Sequence, residues 1–445
     1  MVPESGPAEG GSARVAETAQ TPTQSLFVPL VSQSNRPGPD TRISIQMYAA
    51  TDEQVAEAGE AGAARVRIPL SWASVEPANT SPSEYRWSTH DLWFERLSAS
   101  GKDLILTIEG NPTWAATFSG GPIDKVPISE FVEFVVAAVE RYSAPPYNVR
   151  LWEFYNEPDN GDPLWAVKSG LGYWGYQPEA YADMLAAVYQ PIKQVDPEAQ
   201  VLLGGIAFDF WPEDGGPFVP EFLDRVLQHG GGAYFDILNF HYYPTAFAYR
   251  WAPYGPGLIG KTTFLRDKLA AYGLNKPAIC TEAGVENVNT GTDEIQSRYI
   301  PILYAETMAA DLLSLSWFML VDQDLGYWKT GLLYADLTRK PAFYAYQTVA
   351  ALLGEASYLG ALSTAEKGTD TMEAYRFLAS GGQKPFTVAW TNDGLAYPLT
   401  LSGRRVLVVD KYGLERWAYD VADGRLDGVT LVQVGSSPVY LYPEP

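Results

Sequence analysis

Eight short, nearly continuous apolar runs punctuate the first three-quarters of this chain, and they constrain its fold more than any other feature. They fall at 42–48, 64–70, 103–109, 150–156, 201–207, 237–243, 277–283 and 314–320. Runs of this length suit parallel strands buried on both faces. Amphipathic stretches separate them, at 129–142, 179–195, 218–228, 262–272, 293–309 and 341–352. The first of these opens at Ser129 as N-cap and sets Phe131, Phe134, Val135, Ala138 and Tyr142 along one side. Pro178, Pro191 and Pro341 soften the boundaries of the helices they touch. Eight strands alternating with helices over roughly 310 residues predict an α/β fold, a (β/α)8 TIM barrel.

Loop lengths carry the same message. The connections after strands two, three, four, six and eight are long, at 71–90, 110–128, 157–178, 244–261 and 321–340, whereas 100–102 and 273–276 are short. In a barrel of this kind the long loops crown the C-terminal face, where active sites lie. They hold Trp72, Trp87, Trp114, Trp165, Trp174, Trp251 and Trp328. The chain has 13 Trp and 28 Tyr against 18 Phe, and the loop positions predict that part of this surplus lines a cleft.

Both ends differ from the middle. Residues 1–40, rich in Pro, Gly, Ser, Thr, Gln and Glu, are expected to form a disordered N-terminal arm. The barrel is expected over 41–354. From 355 to 445, period-two runs at 371–379, 385–391, 405–410, 429–434 and 437–442 alternate with turns such as Asn392-Asp393-Gly394. They predict a C-terminal antiparallel β-sandwich domain, with room for a strand borrowed from before residue 42. The run 26–31 is too short to span a bilayer and no signal peptide is visible. A secreted or extracytoplasmic protein without its export signal is the expectation.

The formal charge is −22, from 31 basic and 53 acidic residues. It repels phosphate backbones and anionic membranes, so neither nucleic acid nor membrane insertion is expected. Cys280, the single cysteine, excludes an intrachain disulfide framework and a cysteine-based zinc site. His90, His229 and His241 lie far apart in sequence, so no metal or organic cofactor is expected, with carboxylate-bound calcium or magnesium left open. Oligomeric state is unassigned.

Two glutamates stand at predicted strand ends across the barrel mouth. Glu157 follows strand four in Trp152-Glu153-Phe154-Tyr155-Asn156-Glu157-Pro158, and Glu282 ends strand seven in Thr281-Glu282-Ala283-Gly284. Two carboxyls about 5–5.5 Å apart equip a site for retaining glycoside hydrolysis. Carboxylates at barrel strand ends also serve metals and loop ion pairs, and the Asn-Glu-Pro context favours chemistry for Glu157.

Taken together, these segments resemble those of the clan A glycoside hydrolases, which are retaining (β/α)8 enzymes. Asn156-Glu157-Pro158 is similar to the acid/base segment of that clan, and Thr281-Glu282-Ala283-Gly284 to its nucleophile segment. Val66-Arg67-Ile68-Pro69-Leu70-Ser71-Trp72 resembles the strand-two segment whose Arg supports the nucleophile. His241-Tyr242-Tyr243 resembles the strand-six pattern with a Tyr beside the nucleophile, and Trp317 the strand-eight sugar platform. Pro112-Thr113-Trp114, Gly331-Leu332-Leu333 and Lys340–Tyr346 look most like family thirty-nine, which contains β-xylosidases and α-L-iduronidases; families five and thirty share enough to stay open. The resemblance implies cleavage of β-type O-glycosidic bonds in an oligosaccharide, polysaccharide or simple glycoside. Glu157 is then acid/base and Glu282 nucleophile, with Asn156, Arg67, His241, Tyr243, Trp317 and Trp114 binding substrate. A transglycosylase with the same residues and a non-catalytic carbohydrate-binding barrel are the alternatives.

Other candidates have plainer readings. Arg67 is also placed to pair with Glu153, and Arg65 competes for its role. His241 suits an orienting hydrogen bond, and Tyr242 and Cys280 suit packing. Glu109 and Glu286 are substrate-contact candidates at best. Asp322 and Asp324 have a sugar, a cation or water as possible partners.

Overall fold

A computed structural model describes residues 42–169, 171–288, 291–323, 329–380 and 384–444. The expected arm, 1–40, and with it any borrowed strand, lies outside the described residues, as do Asp324 and Trp328. Among the described residues no helix is long and apolar enough to cross a membrane.

All eight apolar runs become strands: β1 (Ile43–Gln46), β2 (Arg65–Ser71), β3 (Asp103–Glu109), β4 (Leu151–Phe154), β5 (Gln200–Leu202), β6 (Leu238–Tyr242), β7 (Ala278–Ala283) and β8 (Leu315–Trp317). Their order in the sheet is β5-β4-β3-β2-β1-β8-β7-β6, all pairs parallel. Closure between β5 and β6 comes from Leu203 N–H donating to Ile237 O (3.1 Å) and His241 N–H to Ile206 O (2.9 Å). The result is a (β/α)8 barrel.

Strand alternation sorts the side chains. Near the base, Ile105, Leu151, Leu202, Ile237 and Ile279 form a small apolar plug. Above it, Arg67, Thr107, Glu153, Asn239 and Thr281 form a buried polar layer. The outward faces pack into the main core with the surrounding helices. Those helices include Ile128–Tyr142, Pro178–Val195, Gly257–Ala271, Asp293–Ala309 and Pro341–Leu353. Ser129 is not the N-cap: that helix begins at Ile128 behind Pro127, without a side-chain cap. Pro178 and Pro341 occupy first helical positions, where a missing N–H costs nothing, and Pro191 is accommodated inside its helix.

The last barrel helix ends at Leu353, and antiparallel strands follow: β9 (Ser357–Ala361), β10 (Met372–Leu378), β11 (Pro385–Thr391), β12 (Tyr397–Ser402), β13 (Arg405–Asp410), β14 (Glu415–Tyr419), β15 (Val429–Val434) and β16 (Val439–Glu444). Six form one sheet in the order β14-β13-β16-β11-β10-β9, and β12 pairs with β15 in a second. Between the two sheets lie Met372, Ala374, Leu399, Val406, Val408, Val432 and Leu441. Alternate residues Tyr375, Phe377, Phe386, Val388, Trp390 and Tyr440 face the other way and join the barrel core. The larger sheet is therefore buried on both faces, which seats the sandwich against the barrel.

Candidate active site

Arg67 organises the mouth of the barrel. It rises from β2 with 2% exposure and five hydrogen bonds. Nε and Nη2 grip the two oxygens of Glu153, each at 2.8 Å; Nη1 reaches Gln46 (2.9 Å) and Glu282 (2.7 Å); Nη2 also reaches Asn156 Oδ1 (2.8 Å). These are all five N–H groups a guanidinium has. Burial alone would lower its pKa, but Glu153 and Glu282 outweigh that and hold it firmly charged. The two readings of Arg67, partner of Glu153 and support of Glu282, thus coexist in one side chain. Arg65 is spent elsewhere, on Asp103 in β3.

Glu282 owes its aim to an irregularity in β7. The register with β6 runs Phe240↔Cys280 and then His241↔Glu282, so Thr281 is an extra residue. This bulge lets two successive side chains serve the interior. Thr281 donates to Asn239 Oδ1 (2.9 Å), while Glu282 takes Arg67 on Oε1 and the Tyr243 hydroxyl on Oε2 (2.9 Å). Burial raises the Glu282 pKa; the Arg67 charge and the hydrogen bonds from Tyr243 and Arg67 pull it back.

Glu157 lies beyond β4, where the chain turns sharply. Tyr155 (φ 64°) and Glu157 (φ 46°) both adopt the left-handed region, a strained choice for such residues that active sites commonly hold in place by surrounding bonds. Here Tyr155 N–H donates to Ile108 O (2.9 Å) and Glu157 N–H to Gly205 O (3.0 Å). Burial, then the charge of Glu282, then Asp159 and Asp209, push the Glu157 pKa well up against the opposing pull of Arg67.

His241 Nδ1 sits 2.9 Å from Glu157 Oε1 and its Nε2 3.3 Å from Thr281 Oγ1. With the Thr281 proton assigned to Asn239 Oδ1 or Glu153 Oε1, the Thr281 oxygen accepts from Nε2–H. Nδ1 then carries the lone pair, and it bonds to Glu157 when that carboxyl is protonated. Burial, with Arg67 and Lys261, pushes the His241 pKa well down, so the ring is neutral. Its seat requires Gly205: a Cβ there would meet Nε2 at 2.1 Å.

Oxygens of Glu157 and Glu282 and a nitrogen of His241 all lie within 4.8 Å of one another. Among the described residues this is the one set compact enough to hold a cation. Its lone pairs are engaged by Arg67, Tyr243 and the Glu157–His241 contact, which suits proton transfer better than metal ligation.

One sequence expectation about the site is corrected. Trp317 is no sugar platform: it is 0% exposed and its indole N–H donates to Thr330 O (2.9 Å). Alternation along β8 turns Ser316 and Phe318 inward and Trp317 outward. Partly exposed Phe318 packs edge-on against Tyr243 (centroids 6.4 Å) and Tyr48 (6.2 Å). Of the loop tryptophans, Trp72, Trp174 and Trp251 are buried in the core, while Trp87, Trp114 and Trp165 keep some exposure. Trp114 is half-buried, edge-on to Trp72, with its N–H on Glu76 O (3.1 Å). Asn156 is partly exposed with its amide nitrogen as the remaining donor.

Asp322 is buried, and its carboxylate is bonded within the protein to Lys340 (2.7 Å) and Gly331 N–H (2.8 Å). Cys280 and Tyr242 are buried, and burial lifts the Cys280 thiol to about 12. Glu109 and Glu286 are partly exposed in or beyond β3 and β7. Sequence reasoning missed Tyr48, Phe318, Asp159, Asp209 and Lys261. Alternation from Ser44 and Gln46, and from Ser316, would have found the first two; nothing local marks Lys261.

The family model for cellulase (glycosyl hydrolase family 5) matches residues 31–323. Proteins of curated function provide no match. The fold is shared with a family 39 glycoside hydrolase of the gut symbiont Bacteroides cellulosilyticus WH2, at 20% identity and TM-score 0.70 over 91% of this chain and 81% of that one. It is shared also with a GH39 β-xylosidase of Caulobacter crescentus (18%, TM-score 0.60, 92% and 97%) and a GH30 endoxylanase of Clostridium papyrosolvens C71 (13%, TM-score 0.59, 91% and 97%). The chain belongs to the cellulase family, glycosyl hydrolase family 5, and is a glycoside hydrolase of the clan A type, with a family 39-like arrangement of barrel and sandwich.

Proposed function

We propose that the enzyme cleaves β-type O-glycosidic bonds with retention, Glu157 acting as acid/base and Glu282 as nucleophile. The observation that carries this is the pair of carboxyls with oxygens within 4.8 Å, in surroundings that separate their protonation. That spacing leaves no room for the water an inverting site places between its carboxyls.

Glu157 keeps its proton because it is buried beside a negative charge and faces the His241 lone pair. Glu282 is the partner that ionises, because Arg67 and Tyr243 bond its two oxygens. In the first step a Glu282 oxygen bonds to the anomeric carbon as the C–O bond to the leaving group breaks, and Glu157 gives that oxygen its proton. Glu282 is then an ester without charge, so the repulsion that held the Glu157 proton is gone. Glu157 takes a proton from water, whose oxygen displaces Glu282 and restores the resting site. Asn156 is placed to donate to the sugar 2-hydroxyl and Phe318 to meet a sugar C–H face. Transfer to a sugar acceptor in place of water would use the same residues.

The test is a panel of aryl β-glycosides, with the product anomer followed by NMR. A β product formed first is expected; α product formed first from a β substrate would overturn retention.

A further inference from the structure

The charges around the pocket bear on which sugars it admits. Besides Glu157 and Glu282, Glu109 projects from the end of β3 on the same face as Thr107, which bonds Glu153. Glu109 is partly exposed. Burial, with Glu153 and Glu282, raises its pKa to about 7 against the pull of Arg67. Asp159 and Asp209 lie behind Glu157 and act on it. Among the described residues, Arg67 and Lys261 are the cations that act on this cluster from inside the barrel mouth.

Neither cation has anything to offer a ligand. All five Arg67 N–H groups are bonded to protein oxygens. Lys261, 0% exposed, donates to Ala207 O (2.5 Å) and Asp209 (3.2 Å). Arg250, which acts on Asp209 from farther out, is paired with Glu213 and Asp214. A sugar carboxylate bound next to Glu282 would lose its water without gaining a charged donor, and would face Glu109 as well.

Resting on the reading that Glu157 and Glu282 frame the sugar-binding position, we propose that this site rejects uronic acid glycosides and takes glycones that carry no negative charge. Neutral hydroxyls suit it: carboxylates and Asn156 accept and donate hydrogen bonds without adding net charge.

Calorimetric binding of paired aryl S-glycosides tests this without turnover. The pair is an S-β-glucoside and the S-β-glucuronide differing only at C6, joined by an S-β-xyloside. At least one neutral member is expected to bind about tenfold or more tighter than the uronide. Glu109→Gln should narrow the gap at pH 8, where Glu109 is ionised. A uronide that binds as tightly as the best neutral member, or no binding by any neutral member, overturns the proposal. Turnover of the O-linked counterparts is scored separately: binding without cleavage would count against the catalytic reading and leave charge selection standing.

Discussion

In the proposed mechanism, Glu157 and Glu282 are chemically identical side chains that their neighbours divide into acid and nucleophile. The division makes Glu157→Ala selective: kcat/KM should fall by about 10²–10⁴ on glycosides with poor leaving groups and far less on activated aryl glycosides. Equal losses on both would remove Glu157 from the acid role. The coupling also sets the pH profile. Activity should fall as pH rises through the raised Glu157 pKa and as pH drops through that of Glu282. Glu282→Gln removes the charge that disfavours ionised Glu157, so the Glu157 pKa should move down toward the ordinary carboxylate range, read from its labelled carboxyl carbon by NMR. Gly205 is the least conspicuous residue with a large role. Gly205→Ala must push His241 away from Glu157, and a loss of about tenfold or more in kcat/KM with an unchanged circular dichroism spectrum is expected.

At the level of elements, the barrel strands were legible because each is a short apolar run bounded by polar helices. Parity within a strand was harder to assign. In β8 the largest aromatic, Trp317, drew the functional assignment, yet Ser44 pairs through its hydroxyl with Ser316 (2.7 Å), which fixes Ser316 and hence Phe318 as inward. Phe318→Ala is therefore expected to raise KM for glycosides severalfold with little change in Tm. Trp317→Ala is expected instead to destabilise by roughly 3–5 kcal/mol, as for other buried aromatics; the reverse pattern in KM and thermal unfolding would restore Trp317 to the site. Other omissions have local causes. The helix Asp52–Ala61 carries a capping box, Thr51 with Gln54, and a left-handed Gly62, signals present in sequence but passed over. Pro398 disguises β12, and β14 reads as polar because its residues Glu415, Arg416, Trp417 and Tyr419 are exposed. The β7 bulge leaves no sequence mark, since it is set by pairing with β6.

Across the whole molecule, the chain buries several acids without neutralising them. Glu306, burial-raised to about 8, accepts from Leu258 N–H (2.9 Å), while Asp159 and Glu109 stand at about 7. Above the ordinary carboxylate range the unfolded chain has released protons that the folded chain still holds. Stability therefore falls as pH rises from about 5 to about 8, and is fullest at the acidic end of that window. Glu306→Gln should flatten the fall by roughly 1–4 kcal/mol, measured by denaturant unfolding across that range. The charge of −22 decided nothing about fold. The barrel signature emerged from the sequence because it repeats eight times, whereas the buried acids and Lys261 depend on contacts between elements far apart in the chain.

The double-displacement account is tested most directly by trapping its covalent intermediate. After incubation with an activated 2-deoxy-2-fluoro-β-glycoside of a sugar the enzyme accepts, digestion and mass spectrometry should find the fluoroglycosyl group on Glu282. A label on Glu157 or on any other carboxyl would contradict the assignment of the nucleophile.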